Sequence, residues 1–284
     1  MISAKDVLAV VVSYNGVLQT RRAVIALRNQ VGHIEIVDNG SEPESLEILN
    51  ALSREPGVGV TYLGKNRGIG YALNIGVQLA RDRGFRWLLT MDQDSVVDPT
   101  MIQAYAATVE RDPTCVCLTP TIRGDHRSVN GTTRPVRYAI TSGNLVRVSL
   151  FDEIGLYDEG FFIDCIDFDF CLRLRYAGHK IHRVPNAWMK HRVGEQFSQG
   201  EYLKRVYGRH PPSRRYYMSR NFMYLAERHV LHFPWFIVKL GSLQLLLTIL
   251  VGFFDPKPSQ SYTAIARGVV DYLARRTGPY LARA

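Results

Sequence analysis

The segment Leu88 to Pro99, "LLTMDQDSVVDP", runs an apolar stretch straight into Asp92, Gln93 and Asp94. Two carboxylates this close repel one another, so the pair adds nothing to stability and invites a cation. In an extended segment residues i and i+2 point the same way, and Asp92 and Asp94 can face one point in space. Hard divalent cations such as Mg²⁺ or Mn²⁺ take oxygen ligands of this kind and commonly share them with a substrate diphosphate. A solvated surface turn is the plain alternative, but a turn of that sort has no need of a buried strand before it.

Other residues offer complementary chemistry. Asp164, Asp167 and Asp169 cluster in "FFIDCIDFDFCLRLR", at the start of a predicted helix whose dipole favours negative charge. Asp169 stands four residues before Arg173 and can pair with it on the surface. Two acids then remain, and a carboxylate in a cleft beside a sugar hydroxyl can serve as a general base. Asp38 in "IVDNGS" can cap the following turn through backbone amides, or take a hydrogen bond from a nucleobase or ribose. The glycines of "KNRGIGYALNIG" at 68, 70 and 76 permit close helix–sheet packing, or close approach of backbone N–H groups to a phosphate or sugar. They do not follow the first strand, so they are no dinucleotide fingerprint. His191, in "MKHR" after an extended piece, is open as a third metal ligand.

Something must carry these groups. "VLAVVVS" (Val7 to Ser13) is continuously apolar and β-branched, as a strand buried on both faces should be. A helix follows over Leu18 to Gln30, a strand over Ile34 to Ser41, an amphipathic helix over Ser45 to Glu55 and a short strand at Val60 to Leu63. A further helix stops at Gly84, a residue suited to a left-handed cap, before the strand that ends in the acidic pair. The rhythm predicts an α/β fold with a mostly parallel central sheet and helices on both sides. Ligands of such sheets sit outside the carboxyl ends of the strands, where Asp38 and Asp92 both fall. Arg123 to Arg137 reads as an exposed loop, "DFDFCLRLRYAGHK" as a helix and "KIHRVPNAWMKHR" as extended.

The chain has 284 residues, 46% of them hydrophobic, enough for one large α/β domain or two smaller ones with an ordinary core. Cys115, Cys117, Cys165 and Cys171 form no C-x-x-C pair and read as free thiols in a reducing compartment. The amino-terminal apolar run is too short for a signal peptide, which predicts a cytoplasmic protein. The formal charge is +9. Much of the excess lies in Leu203 to Asn221, where Lys204, Arg205, Arg209, Arg214, Arg215 and Arg220 occur with no acid. Anionic lipid, nucleic acid or a phosphate-bearing small molecule would each answer to it; a solvated face is the plain alternative. Phe233 to Phe254 is long enough to span a bilayer, but Lys239, Ser242, Gln244, Thr248 and two glycines favour a helix lying in the membrane plane or packed on protein.

Taken together, "VVVSYNG", "IVDNGS", "NRGIGYALNIG", "LLTMDQDS", "TSGNLVR", "IGLYDEGFFIDCIDFDFCLR" and "MKH", in that order, resemble the family 2 glycosyltransferases of the GT-A fold. "DQDS" and "FFID-x-x-D" point to the bacterial rhamnosyltransferases among them. The resemblance implies a catalytic domain over 1–212, with a nucleotide-sugar half over about 1–98 and an acceptor half over 99–212. A helical, membrane-associated region would follow over 213–284. It implies that Ser13, Tyr14, Asn15, Asp38, Asn66, Gly68, Asn74, Asp92 and Gln93 line the donor site. Asp94, with Asp92 and His191, would hold Mg²⁺ or Mn²⁺, and Asp167 would be the catalytic base. Ser142, Gly143, Asn144 and Asp164 would meet the acceptor. Relatives often carry a second acid where this chain has Ile166, which leaves Asp164 to supply it. The implied activity is inverting transfer of L-rhamnose from dTDP-rhamnose to a lipid-linked or polysaccharide acceptor at the inner membrane, as in lipopolysaccharide synthesis, with no nucleic-acid partner. UDP-galactofuranose is the next donor in line, and a non-catalytic carbohydrate-binding protein is the reading from another class. A nucleotidyltransferase would carry an amino-terminal phosphate loop, and a processive synthase a Q-x-x-R-W motif; neither is present.

Overall fold

Every residue of β1 (Val7–Ser13) is buried, and its alternate side chains feed two separate cores. Val7, Ala9 and Val11 face one, Leu8, Val10 and Val12 the other, as the two-residue period of a strand requires. Full burial of each such side chain stabilises the fold by about 1.5–3 kcal/mol. The computed structural model describes residues 2–122, 131–191 and 210–280.

The first half alternates as expected: β1, α1 (Val17–Leu27), β2 (His33–Asp38), α2 (Pro43–Leu52), β3 (Val58–Tyr62), α3 (Ile69–Asp82) and β4 (Trp87–Asp92). These four strands are parallel, in the order β3-β2-β1-β4. Gly76 lets α3 lie on β1, since a Cβ there would stand 2.7 Å from that of Val10.

Beyond β4 the sheet is mixed. The chain continues through β5 (Ser95–Val97), α4 (Met101–Arg111), β6 (Cys117–Ile122), β7 (Arg134–Val136), β8 (Asn144–Arg147), α5 (Leu150–Ile154), α6 (Ile166–Tyr176) and β9 (Ile181–His191). The strand path runs on from β4 as β8-β6-β9-β5, with β8 antiparallel to both β4 and β6 and β5 antiparallel to β9. Four strand spacings in a flat sheet would separate β4 from β5 by about 19 Å. The three residue steps from Asp92 to Ser95 reach at most about 11 Å. The sheet therefore curls until β5, with β9 behind it, stands beside the end of β4.

One expectation needs correction, and one alternative fails. Arg134–Val136, read as part of an exposed loop, is a strand paired with β9; residues 123–130 of that stretch lie outside the described residues. The basic run is not a solvated face where it is described, because Arg215 and Arg220 on α7 (Pro212–His229) are 2% and 0% exposed. Lys204, Arg205 and Arg209 lie outside the described residues. The carboxyl-terminal helices join the rest of the fold: α7 packs on α6, and α8 (Pro234–Phe254) and α9 (Pro258–Leu273) pack on α7. Among the described residues α8 is the one helix long and apolar enough to cross a membrane. It buries Ile237, Leu247, Leu250 and Val251 and leaves Trp235, Leu245 and Phe253 exposed.

Candidate active site

The curl assembles the acidic site. Antiparallel pairing of β5 with β9 sets Ser95 opposite His191, which brings the histidine next to the carboxylates at the end of β4. Ligand atoms of Asp92, Asp94 and His191 all lie within 4.8 Å of one another, and His191 Nδ1 is 3.6 Å from Asp94 Oδ1. A chain of hydroxyls backs them. The Asp92 N–H donates to Ser142 Oγ at 3.0 Å, Ser142 donates to Ser95 Oγ at 2.7 Å, and Ser95 Oγ lies 2.8 Å from His191 Nδ1. A hydroxyl on the ring nitrogen fixes the imidazole, as outer-shell partners do for metal-bound histidines. Burial, then the Asp94 carboxylate, outweighs the pull of His191 and pushes Asp92 up to about 6. Two carboxylates that repel one another and an imidazole nitrogen, converging on one point, fit a divalent cation such as Mn²⁺ or Mg²⁺.

Beside this site the strand ends of the first half form a polar rim. Asp38 is 1% exposed, and its carboxylate accepts from the N–H groups of Gly40 at 3.2 Å and Ser41 at 3.1 Å and from the Ser41 hydroxyl. Asn15, at φ 54°, receives the Glu42 N–H on Oδ1 at 2.8 Å and so starts α2. The Gln93 amide pairs both ways with the Tyr14 backbone, at 2.8 and 3.1 Å, and stitches β1 to β4. Asn66 Oδ1 accepts from Asn39 Nδ2 at 3.1 Å and from the Gly68 N–H at 3.0 Å. Tyr14 leaves its ring exposed over this rim. Two predicted donor contacts lie elsewhere. Ser13 is fully buried with its hydroxyl 3.0 Å from that of Thr20. The Asn74 amide is taken up by Tyr157, at 2.9 and 3.0 Å, and by Glu159 at 2.8 Å.

Opposite the rim stands the loop that carries the remaining acids. Phe162 has φ 64° and ψ −59°, and the Ile163 N–H donates to Phe161 O at 2.7 Å, a γ-turn of the strained hand. Asp164 and Cys165 also have φ 64°. Each left-handed non-glycine residue costs about 1–2 kcal/mol, so something must hold the loop. Asn221 on α7 does so, its Nδ2 lying 2.8, 2.6 and 3.2 Å from the carbonyls of Phe161, Ile163 and Asp164. Arg220 donates to the carbonyls of Gly160 at 3.0 Å and Phe161 at 3.2 Å. Hydrogen bonds net about 1 kcal/mol each, and those from a charged donor more, so the set offsets the strain. The loop also reaches the donor rim: Phe162 O accepts from the Ile69 N–H at 2.7 Å, and a Cβ on Gly68, whose φ is 89°, would meet the Phe162 backbone at 2.7 Å.

Asp167 opens α6 just beyond this loop, with Oδ1 taking its neighbour Phe168 N–H at 2.9 Å. Burial above all, then the Asp164 and Asp92 carboxylates, pushes it up to about 6 against that hydrogen bond. Asp164 faces Arg214, which grips it with Nε at 3.2 Å and Nη2 at 2.9 Å. Asp169, read as half of a surface pair with Arg173, is fully buried. It also takes His229 Nε2 at 3.0 Å and Arg228 at 3.3 Å, and so ties α6 to α7. Burial opposes its charge, yet His229 and the arginines hold its carboxyl below the usual range.

Ser142, Gly143 and Asn144, predicted to meet the acceptor, instead form the shelf behind the acidic pair. Ser142 and Asn144 are 0% and 2% exposed, and the Gly143 carbonyl takes the buried Tyr105 hydroxyl at 2.8 Å. Sequence reasoning missed Ser95, Arg214, Arg220 and Asn221. The one available signal was "RRYYMSRN", where arginine alternates with aromatic residues too bulky to be left in water. A second ligand-like cluster, Asp112, Cys115 and His182, lies at the other end of β9. There Asp112 caps its own turn through the Thr114 N–H at 3.0 Å, which accounts for it without a ligand.

Comparison with known proteins gives the family and the fold. The chain is 29% identical to the dTDP-rhamnosyl transferase RfbF of Shigella flexneri over 79% of its own length and 81% of that protein. It is 31% identical to the rhamnosyltransferase WbbL of Escherichia coli K12 over 31% of its length and 30% of that protein. Among solved structures it superposes on S. aureus TarS 1–349 in complex with UDP-GlcNAc with a TM-score of 0.56 at 16% identity, covering 95% of this chain and 73% of that one. It also superposes on GalNAc-T7 with UDP, GalNAc and Mn²⁺, with a TM-score of 0.55 at 19% identity, covering 65% of this chain and 43% of that one. The model of the family described as Glycosyl transferase family 2 matches residues 8–166, and the chain belongs to that family of glycosyltransferases.

Proposed function

We propose that this glycosyltransferase moves L-rhamnose from dTDP-rhamnose to a saccharide acceptor with inversion, in a metal-dependent reaction. The observation that supports the donor is the match along most of both chains to a dTDP-rhamnosyl transferase. A divalent cation held by Asp92, Asp94 and His191 would supply the positive charge that offsets charge developing on the leaving diphosphate. Tyr14, Asn15, Asp38, Asn66 and Gly68 border the space for the nucleotide. Asp167 takes the proton of the acceptor hydroxyl while that oxygen attacks the anomeric carbon from the side away from the diphosphate. The anomeric C–O bond breaks as the new one forms, its electron pair leaves with the diphosphate, and one displacement inverts the centre. A carboxyl poised near 6 is mostly ionised at neutral pH yet basic enough to accept that proton.

The protein is offered dTDP-rhamnose and a panel of UDP-sugars, UDP-galactofuranose included, with Mn²⁺ present. Release of nucleoside diphosphate from dTDP-rhamnose, faster than from any UDP-sugar, is expected. A UDP-sugar consumed while dTDP-rhamnose stays intact would overturn the donor assignment.

The acceptor reading is a lipid-linked saccharide at a membrane surface. The apolar side chains that α8 turns outward, Trp235 (85% exposed) and Phe253 (76% exposed) near its two ends, suit a helix lying in the headgroup region of an anionic bilayer. The double variant Trp235→Ser/Phe253→Ser is expected to lose cosedimentation with anionic vesicles. Undiminished binding would place the contact elsewhere.

A further inference from the structure

We propose that Arg220 and Asn221 are positioning residues for sugar transfer, holding the 160–165 loop in the one shape that serves both the donor rim and Asp167. The inference rests on Asp167 being the base.

Neither side chain can touch a substrate, since both are 0% exposed. Their roles are nevertheless polar and directional. Arg220 Nε donates to Asn221 Oδ1 at 3.0 Å, which turns the amide so that its Nδ2 faces the loop carbonyls. The same guanidinium reaches Gly160 O and Phe161 O on one side and Gly278 O, at 2.8 Å, on the other. The faces of Tyr216 and Tyr217 sit 5.2 Å from its central carbon. Were α7 needed merely to fill space, apolar residues of the same size would serve and would avoid the cost of burying a cation. What apolar residues cannot do is oppose the relaxation of Phe162, Asp164 and Cys165 out of the left-handed region. That relaxation would act at two places together. It would withdraw Phe162 O from the Ile69 N–H at the donor rim, and it would swing the first turn of α6, with Asp167, away from the acceptor. The clamp lies 57 to 60 residues beyond the loop in sequence, so nothing local can replace it.

The test is Asn221→Ala, alone and combined with Cys165→Gly. A misplacement of about 1 Å in a base costs about a hundredfold in rate. The single variant is expected to lose about that much in kcat per folded molecule, with a much smaller change in the donor KM. Glycine takes up a left-handed conformation without steric cost, so the double variant is expected to regain about tenfold of the loss. A kcat within twofold of wild type for Asn221→Ala, or a double variant no better than the single one, overturns the proposal. If Asn221→Ala does not fold, Arg220→Lys is read in the same way, because it keeps the charge and forfeits the fork of donors. Amide hydrogen exchange over 162–168 is followed in parallel with no donor present. Faster exchange in Asn221→Ala supports the clamp and unchanged exchange overturns it. A wild-type protein inactive on dTDP-rhamnose would sink the donor assignment and leave this readout intact.

Discussion

The polar rim and the acid loop meet where the Ile69 N–H donates to Phe162 O, yet they are held in different ways. On the rim each polar group is fixed by its own turn or by the next strand end: Asp38 by Gly40 and Ser41, Asn66 by Asn39 and Gly68, Tyr14 by Gln93. The backbone there relaxes into shapes that short polar residues and glycines take readily. The acid loop instead carries three non-glycine residues at φ 64° and is held by a helix that arrives much later in the chain. Local geometry suffices to hold the rim. Strain imposed from afar is found in the loop that leads into Asp167, the proposed base, and strained backbone tends to gather at sites of function.

This contrast can be broken at either side. The largest expected effect is at the proposed metal site beside the rim. Asp94→Ala should abolish Mn²⁺-dependent binding of thymidine diphosphate, measured by calorimetry, while exchange of the loop amides stays as in wild type. Persistent metal-dependent binding would move the cation away from Asp94. A smaller effect is expected at the loop. A carboxyl that binds its proton more tightly folded than unfolded loses stability as pH rises from about 4 to about 6. The Asp167→Asn variant lacks that penalty, so it should melt a few degrees above wild type at pH 7.5 and show little advantage at pH 4. Its transfer activity should fall at both values. An equal shift in melting temperature at the two pH values would mean that Asp167 is not held up by burial.

The rim was readable before the fold because its signals are local. Asp38 and Asp92 each sit where a run of apolar residues gives way to acid, and strand ends of a parallel sheet place such residues on one edge. His191 stood out as a candidate by type alone; what brings it beside the carboxylates is the curl that turns β9 back toward β4, a property of the whole sheet. The "TSGN" stretch misled because its small polar residues look like a binding loop, whereas a shelf behind two carboxylates needs the same residue types to satisfy buried N–H groups. Asp169 misled in the same way: i,i+4 spacing gives the pair but not its burial. Arg220 and Asn221 were hidden because their partners are backbone carbonyls, which every residue has.

The family match stops at residue 166, and the asparagine bonded to the loop before Asp167 stands at 221. Anyone exchanging tails between related transferases to change where they dock would, with a junction placed before α7, also graft in a foreign hand on the reaction itself. Such hybrids would bind their sugar nucleotide and turn over poorly, and the fault would be sought in the wrong half of the molecule.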